Sequence, residues 1–444
     1  MQPIRLPPEL HDAIIDCLHD DAPTLARCAL VCRAWLPAAR FHAWRRLPLR
    51  CAADALDRFA AALETCPAIA HCVRDAVIAQ RKEKVRFCTW EDLHLLGAAL
   101  AMLGRLPNLA TVTLDGLWFG APSAGGESGA QGLADHIFPS VRALTISTCS
   151  FESFSDVRNL CAAFPALRTV RFDGVWWGHW LLAQPGGRRT DGPGERLLVH
   201  GKLQWTELDL GSCFSRDVVI DWLLDCLEED SVRTLRLPLI GAYDTRLKDL
   251  LRYVGPSLER LDIGSPSTSA TRLRDANDAP RPVSSLLDLS ACTSLKTLSL
   301  GVPTYRDAGF ITRWLVALLL QVASPGLEEL RFAIYPILRG DAADAFTMLS
   351  AFDWGLVVRV LGGYEPERSL LGDVRRDLAR LGSFGDMRAN GRFASLKKVT
   401  FRAGRAMDYV QVPSAFLPLG PHLRKLAETF FAPLGNRGIE LGFE

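Results

Sequence analysis

Apolar positions along the chain recur in two rhythms. From residue 44 onward an apolar-x-x-apolar-x-apolar pattern appears at Trp44/Leu47/Leu49, Val73/Ala76/Ile78, Leu109/Val112/Leu114, Val141/Leu144/Ile146 and Leu167/Val170/Phe172. It continues at Trp205/Leu208/Leu210, Val232/Leu235/Leu237, Leu258/Leu261/Ile263, Leu295/Leu298/Leu300, Leu327/Leu330/Phe332 and Leu396/Val399/Phe401. Successive starts lie about 26 to 38 residues apart, except for a gap of nearly double length before Leu396. The last two apolar positions alternate as one face of a short strand does. Between these strands, 53–66, 90–106, 154–164, 216–229, 243–254 and 308–322 read as amphipathic helices; Leu93, Leu96, Leu100 and Leu103 show the spacing. Strand and helix sharing one period predict stacked units, each burying its apolar face on its neighbours. The expected fold is α/β, with parallel strands inside and helices outside.

The first 47 residues follow a different rhythm. Leu6-Pro7-Pro8 places proline where a first helical turn tolerates it. Leu10, Ile14, Cys17 and Leu18 then recur at helical spacing, with Ile15 widening the stripe. His19 to Pro23 ends that helix. Thr24, or the turn just before it, caps a second one carrying Leu25, Cys28, Ala29 and Cys32, and a third begins near Pro37. Three short helices bury too little to be secure alone, so this module is expected to lean on its neighbour.

Composition narrows the field. With 444 residues, 51 Lys+Arg against 50 Asp+Glu and 48% hydrophobic residues, the chain has ample core but no long-range positive field. A general nucleic-acid or anionic-membrane binder is not expected. The longest strongly apolar stretch, from Trp314 to Ala323, is far short of a bilayer span. The twelve cysteines form no paired CxxC brackets, and the N-terminus lacks a signal-peptide profile. Neither metal nor cofactor is implied, and the cytosol or nucleus is the expected compartment.

Leu6-Pro7-x-Glu9-Leu10, Ile14-Ile15 and Leu25-x-x-Cys28-Ala29-Leu30-Val31-Cys32-Arg33-x-Trp35 resemble an F-box of the type abundant in fungal proteomes. The resemblance covers roughly a tenth of the chain and implies docking onto the Skp adaptor of a cullin–RING ubiquitin ligase. Carried over residue by residue, the adaptor-facing positions are Leu6, Pro7, Leu10, Ile14, Ile15, Leu30, Val31, Cys32 and Trp35. His42-Ala43-Trp44 departs from the plainer apolar ending of the family. The strand pattern, in turn, looks like a leucine-rich-repeat horseshoe. Its consensus places Asn or Cys three residues after the last strand apolar; Cys149 and Cys213 comply, whereas Leu117, Val175, Ile240, Pro266, Pro303, Tyr335 and Gly404 do not. An irregular solenoid with apolar turns is expected, with both cysteines structural.

The implied organisation is an F-box over 1–47 and an irregular leucine-rich-repeat-like solenoid over 48–444. Surface loops are expected at 120–132, 184–195 and 264–285, where Gly, Pro, Ser and charge cluster. An irregular zone at 353–391 would hide a degenerate repeat, and 413–444 would close the open end. The glycines of the first loop lack the spacing of a phosphate cradle, and no HExxH, GxSxG or EF-hand pattern occurs.

Recognition of a protein target is assigned to the exposed strand row: Thr113, Thr145, Arg171, Asp209, Arg236, Asp262, Ser299, Arg331 and Thr400. Its Arg and Asp residues suit a charged partner, or else pair with one another across strands. Trp118, Trp176 and Trp177 stand in two near-identical Asp-Gly-apolar-aromatic-aromatic-Gly units that follow strands, with one of Trp176/Trp177 expected to plug the turn. The resulting expectation is a non-catalytic substrate adaptor that bridges a target to the Skp adaptor and, through it, to a cullin. The rivals are a scaffold acting outside a ubiquitin ligase and an enzyme with a dispersed site.

Overall fold

The computed structural model describes residues 7–80, 90–119, 137–178, 202–213, 215–241, 244–266, 287–303, 308–335, 347, 349–363, 393–403 and 420–443. The expected loops at 120–132 and 184–195, and most of 264–285, lie outside these residues. The chain packs as two compact units, Met1–His200 and Gly201–Glu444.

The first unit opens with three helices, α1 (Pro8–Asp16), α2 (Ala22–Val31) and α3 (Leu36–Arg45). Prolines occupy the first turn of each, where a missing N–H costs nothing. Asp21, in the turn before Thr24, caps α2 by accepting from the Thr24 N–H at 3.0 Å. Their shared core is small: Ile15, Leu25, Cys28 and Ala39, flanked by Leu18, Ala29, Trp35, Ala38 and Ala43. At roughly 1.5–3 kcal/mol per buried large aliphatic side chain, so few residues cannot offset the ordering of three helices. The neighbouring elements supply the rest.

Helix α3 runs without a break into strand β1 (Arg46–Arg50), so the junction expected after residue 47 falls inside a strand. Trp44 meets Phe59 of the following helix, α4 (Ala53–Thr65), at 6.2 Å, and Arg40 donates to the Cys66 Sγ at 3.3 Å. The Arg74 N–H donates to the Arg45 carbonyl at 2.9 Å.

Strands β1, β2 (Asp75–Ala79), β3 (Thr111–Asp115), β5 (Ala143–Ser147) and β7 (Thr169–Asp173) form a parallel sheet in that order. The register places Leu47, Ala76, Val112, Leu144 and Val170 opposite one another, with Leu49, Ile78, Leu114, Ile146 and Phe172 two residues on. All ten are buried. A one-residue slip would expose every one of them, so the apolar alternation sets the register.

The strand ends repeat as well. Gly116, Thr148 and Gly174 hold positive φ (66°, 51° and 65°), and each chain then runs into a two-residue strand: β4 (Trp118–Phe119), β6 (Ser150–Phe151) or β8 (Trp176–Trp177). These three pair in parallel as a second small sheet. A β-branched residue rarely adopts this left-handed conformation. Thr148 is held in it by donating its hydroxyl to Asp115 Oδ1 at 2.9 Å and its N–H to the Asp173 carbonyl at 2.7 Å.

In the second unit β9 (Glu207–Leu210), β10 (Thr234–Ile240), β11 (Arg260–Pro266), β12 (Thr297–Pro303), β13 (Glu329–Tyr335), β14 (Lys398–Ala403) and β15 (Glu440–Phe443) form a parallel sheet in sequence order. Two expectations are corrected here. The segment expected as loop from 264 begins inside β11, because Gly264 lies so close to its neighbour that a Cβ would sit 1.9 Å from the Pro238 carbonyl oxygen. The long gap before Leu396 hides no strand between its neighbours, since Glu329 to Ile334 pair directly with Lys398 to Ala403. Instead it holds the buried helix Trp354–Leu361, which packs against helices Ala308–Gln321 and Gly420–Phe430. Trp354 joins Phe332, Phe401 and Phe431 in an aromatic cluster with centroids 4.9 to 6.2 Å apart. The C-terminal segment then contributes β15, the last strand of the sheet.

Among the described residues no helix is long and apolar enough to cross a membrane.

Candidate protein-docking surface

The residues singled out in the sequence fall into two groups. The first stands on α1 and α2. Leu10 and Ile14 on α1 are 49% and 43% exposed, and Leu30 and Val31 at the end of α2 are 86% and 63% exposed. Pro7 and Cys32 are exposed as well. Trp35 is half-buried, its ring 5.9 Å from that of His11, and it packs on the module's core. Leu6 lies outside the described residues.

Ile15 is a correction: its side chain is fully buried in the three-helix core. Adjacent helical residues point about 100° apart, so a helix that buries Ile15, with Leu18 beside it, turns Ile14 and Leu10 outward. The same geometry exposes Phe41 on α3, two residues from the buried Ala39. Helix α1 is oriented by the His42 imidazole, whose Nε2 lies 2.6 Å from Asp16 Oδ1, and by Ile15 itself.

The other residues lie on the strand face of each unit, taken separately. The register aligns the sequence-chosen row: Thr113, Thr145 and Arg171 in the first unit, and Asp209, Arg236, Asp262, Ser299, Arg331 and Thr400 in the second. Its exposure is uneven, which is a second correction. Asp209, Ser299 and Thr400 are buried. Ser299 lies between the longer Asp262 and Arg331, Asp209 lies beside Arg236, and Thr400 donates its hydroxyl to Glu329 Oε1 at 3.2 Å.

The charged members are paired within the chain. Arg236 Nε is 3.3 Å from Asp262 Oδ2 across neighbouring strands, Arg171 pairs with Asp173 at 3.1 Å, and Arg331 pairs with Glu329 at 2.7 Å. Burial raises the Glu329 carboxyl, but the hydrogen bond and charge of Arg331, with the Thr400 hydroxyl and the Lys398 charge, outweigh it and hold the carboxyl below its ordinary value.

Of the tryptophans, Trp177 is buried and meets Phe154 at 5.1 Å, so it is turn packing and not a contact surface. Trp118 and Trp176 are half-buried, in register on either side of Ser150. Beneath them Phe119 and Phe151 stack at 4.5 Å.

Cys149 is fully buried, and its thiol donates to the Leu114 carbonyl of the preceding strand at 3.4 Å. Burial pushes this thiol up to about 12, which removes it as a nucleophile at neutral pH. It serves as one cross-strand rung; Cys213 is half-buried.

Among the described residues no cluster of His, Cys, Asp and Glu has the make-up of a metal site. A cleft of about 440 Å³ in the first unit is lined by Leu63, Glu64, Pro67, Ala70, His71 and Arg105, none of them among the residues singled out above. No protein-family model matches the chain, and no curated protein is significantly similar to it.

Proposed function

We propose that this chain is a non-catalytic substrate-recognition adaptor of an SCF-type cullin–RING ubiquitin ligase, acting in the cytoplasm or nucleus. In this reading α1–α3 are an F-box that docks a Skp-type adaptor. The strand–helix region is an irregular leucine-rich-repeat solenoid that presents a target protein. One observation carries it: Leu10, Ile14, Leu30 and Val31 stand in solvent on helices whose opposite faces already form a core. Large apolar side chains left in solvent are what an interaction site offers, and these are positions at which the F-box resemblance expects the adaptor.

The strand region supports the second half of the reading through its parallel pairing and shared register, which give a broad polar face. An adaptor of this kind needs no active site. Holding a target beside a ubiquitin-charged enzyme raises its effective concentration, and proximity supplies the rate.

Co-purification from cells tests the assignment. The intact chain is expected to bring down both a Skp-type adaptor and a cullin, and Leu10→Asp and Leu30→Asp are each expected to lose both while remaining folded. Trp35→Ala is a poorer probe because Trp35 packs on the core. Retention of the adaptor by both Asp variants overturns the docking face. Adaptor without cullin moves the protein to a scaffold outside the ligase.

A further inference from the structure

One residue before each strand of the first unit's sheet stand Arg45, Arg74, Ala110, Arg142 and Arg168, leading into β1, β2, β3, β5 and β7 in turn. Backbone hydrogen bonds tie them into a row. The Arg74 N–H donates to the Arg45 carbonyl at 2.9 Å, and the Ala110, Arg142 and Arg168 N–H groups donate to the carbonyls of Arg74, Ala110 and Arg142, each at 2.8 Å. All the arginines of the row are exposed. With strands about 4.8 Å apart, the row runs about 19 Å along one edge of the sheet. The second unit builds the same row differently. There Thr206, Arg233, Glu259, Lys296, Glu328 and Lys397 are joined by the same backbone bonds at 2.8 to 2.9 Å. Their signs alternate: Lys296 pairs with Glu259 at 2.8 Å and Lys397 with Glu328 at 2.9 Å. The lysine hydrogen bond, and then its charge, holds each of these carboxyls below its ordinary value.

In the first unit Arg45, Arg74 and Arg142 make no ion pair among the described residues, and Arg168 has a further contact of its own. Arg74 donates to the Asn108 carbonyl at 3.4 Å, which takes up none of its charge. The charges around the row do not restore the balance. Asp75 follows Arg74 and stands opposite Arg46 in the register. Glu64 lines the neighbouring cleft with His71 and Arg105, and Arg40 lies with Arg74 near Cys72. Asp115 and Asp173 stand at the other ends of their strands, engaged by Thr148 and Arg171. Like charges on adjacent strands repel, as Arg45 and Arg74 do and Arg142 and Arg168 do. The second unit relieves that repulsion internally; the first leaves it to an outside anion.

We propose that this edge binds an extended acidic segment of a partner protein, whose Asp and Glu carboxylates answer Arg45, Arg74, Arg142 and Arg168 as Glu259 and Glu328 answer Lys296 and Lys397. Guanidinium forks match carboxylates in a bidentate way, and about six extended residues span the row. A nucleic acid fits less well. No aromatic side chain stands in the row to stack a base, and a net charge of +1 gives the chain no long-range positive field. The strip does not depend on the docking reading of α1 and α2.

The test is binding of a dye-labelled oligoglutamate peptide to the full chain, read by fluorescence anisotropy at low and high salt. Three proteins are compared: the unaltered chain, Arg74→Gln/Arg142→Gln and Lys296→Gln/Lys397→Gln. Both variants remove two positive charges, so total charge is matched. The arginine pair is expected to weaken binding about ten-fold at low salt and the lysine pair less than about two-fold, with the difference shrinking as salt rises. Oligoglutamate should raise the melting temperature of the unaltered chain, and the arginine variant without peptide should melt no lower than that chain. Equal weakening by the two variants overturns the strip, because net charge alone would then account for binding. No binding of oligoglutamate to the unaltered chain overturns it as well. Tighter binding of a single-stranded thymidine oligonucleotide, with the same dependence on Arg74 and Arg142, overturns the acidic polypeptide as the occupant.

Discussion

On α1 and α2, Leu10, Ile14, Leu30 and Val31 face solvent. On the strand face, Arg171, Arg236 and Arg331 each pair with a neighbouring carboxylate, and the short polar residues between them are buried. Both surfaces drew attention in the sequence, the first for its apolar residues and the second for its charges. The difference between them is what each has left to offer a partner. A paired surface charge must give up one partner to gain another, with a net return near zero. An exposed leucine gives up only water, a gain of roughly 1.5–3 kcal/mol on full burial. The helical face therefore has the greater unused capacity. Recognition on the strand face would have to work through shape and the exchange of existing pairs.

That contrast breaks first at its sharpest point, between neighbours. Ile15→Ala is expected to destabilise the chain by about 2–4 kcal/mol, whereas Ile14→Ala should change stability by less than about 0.5 kcal/mol. Thermal and denaturant unfolding of the two variants measures this, and equal losses would place Ile14 in the core. Thiol labelling gives a second comparison. Exposed Cys32 should react with a small alkylating reagent in the native state, while Cys149, buried and with its thiol at about 12, should react only on unfolding. Bound adaptor should protect Cys32. The smallest effect belongs to the strand face: a double-mutant cycle of Arg236→Ala and Asp262→Ala should give a coupling of at most about 1 kcal/mol. Neither variant should lose the adaptor. A much larger coupling would make this pair a structural clamp.

Much of the sheet was legible because strand burial has a period that sequence displays. Each apolar triplet from Trp44/Leu47/Leu49 to Leu396/Val399/Phe401 meets a strand whose last two apolar residues are buried, and the polar row chosen by position proved to be in register. Strand β15 escaped because Gly438 occupies the first apolar position, although Leu441 and Phe443 sit opposite Val399 and Phe401. The doubled spacing before Leu396 looked like a missing strand, since spacing cannot distinguish an inserted helix from a lost repeat. Burial within the polar row depended on side-chain length in the adjacent strand, which no single strand's sequence contains. Ile14 and Ile15 were equally apolar, so the choice between core and surface waited on which face α1 turned toward Leu25 and Cys28.

The central claim is that the α1–α2 face, and not the strand face, carries the docking partner. Hydrogen exchange of the full chain with and without a purified Skp-type adaptor tests it most directly, because both surfaces report in one experiment. The account predicts slowed exchange across residues 8–33 and unchanged exchange across Arg260–Pro266 and Glu329–Tyr335. Protection of those strands with none across 8–33 would contradict it.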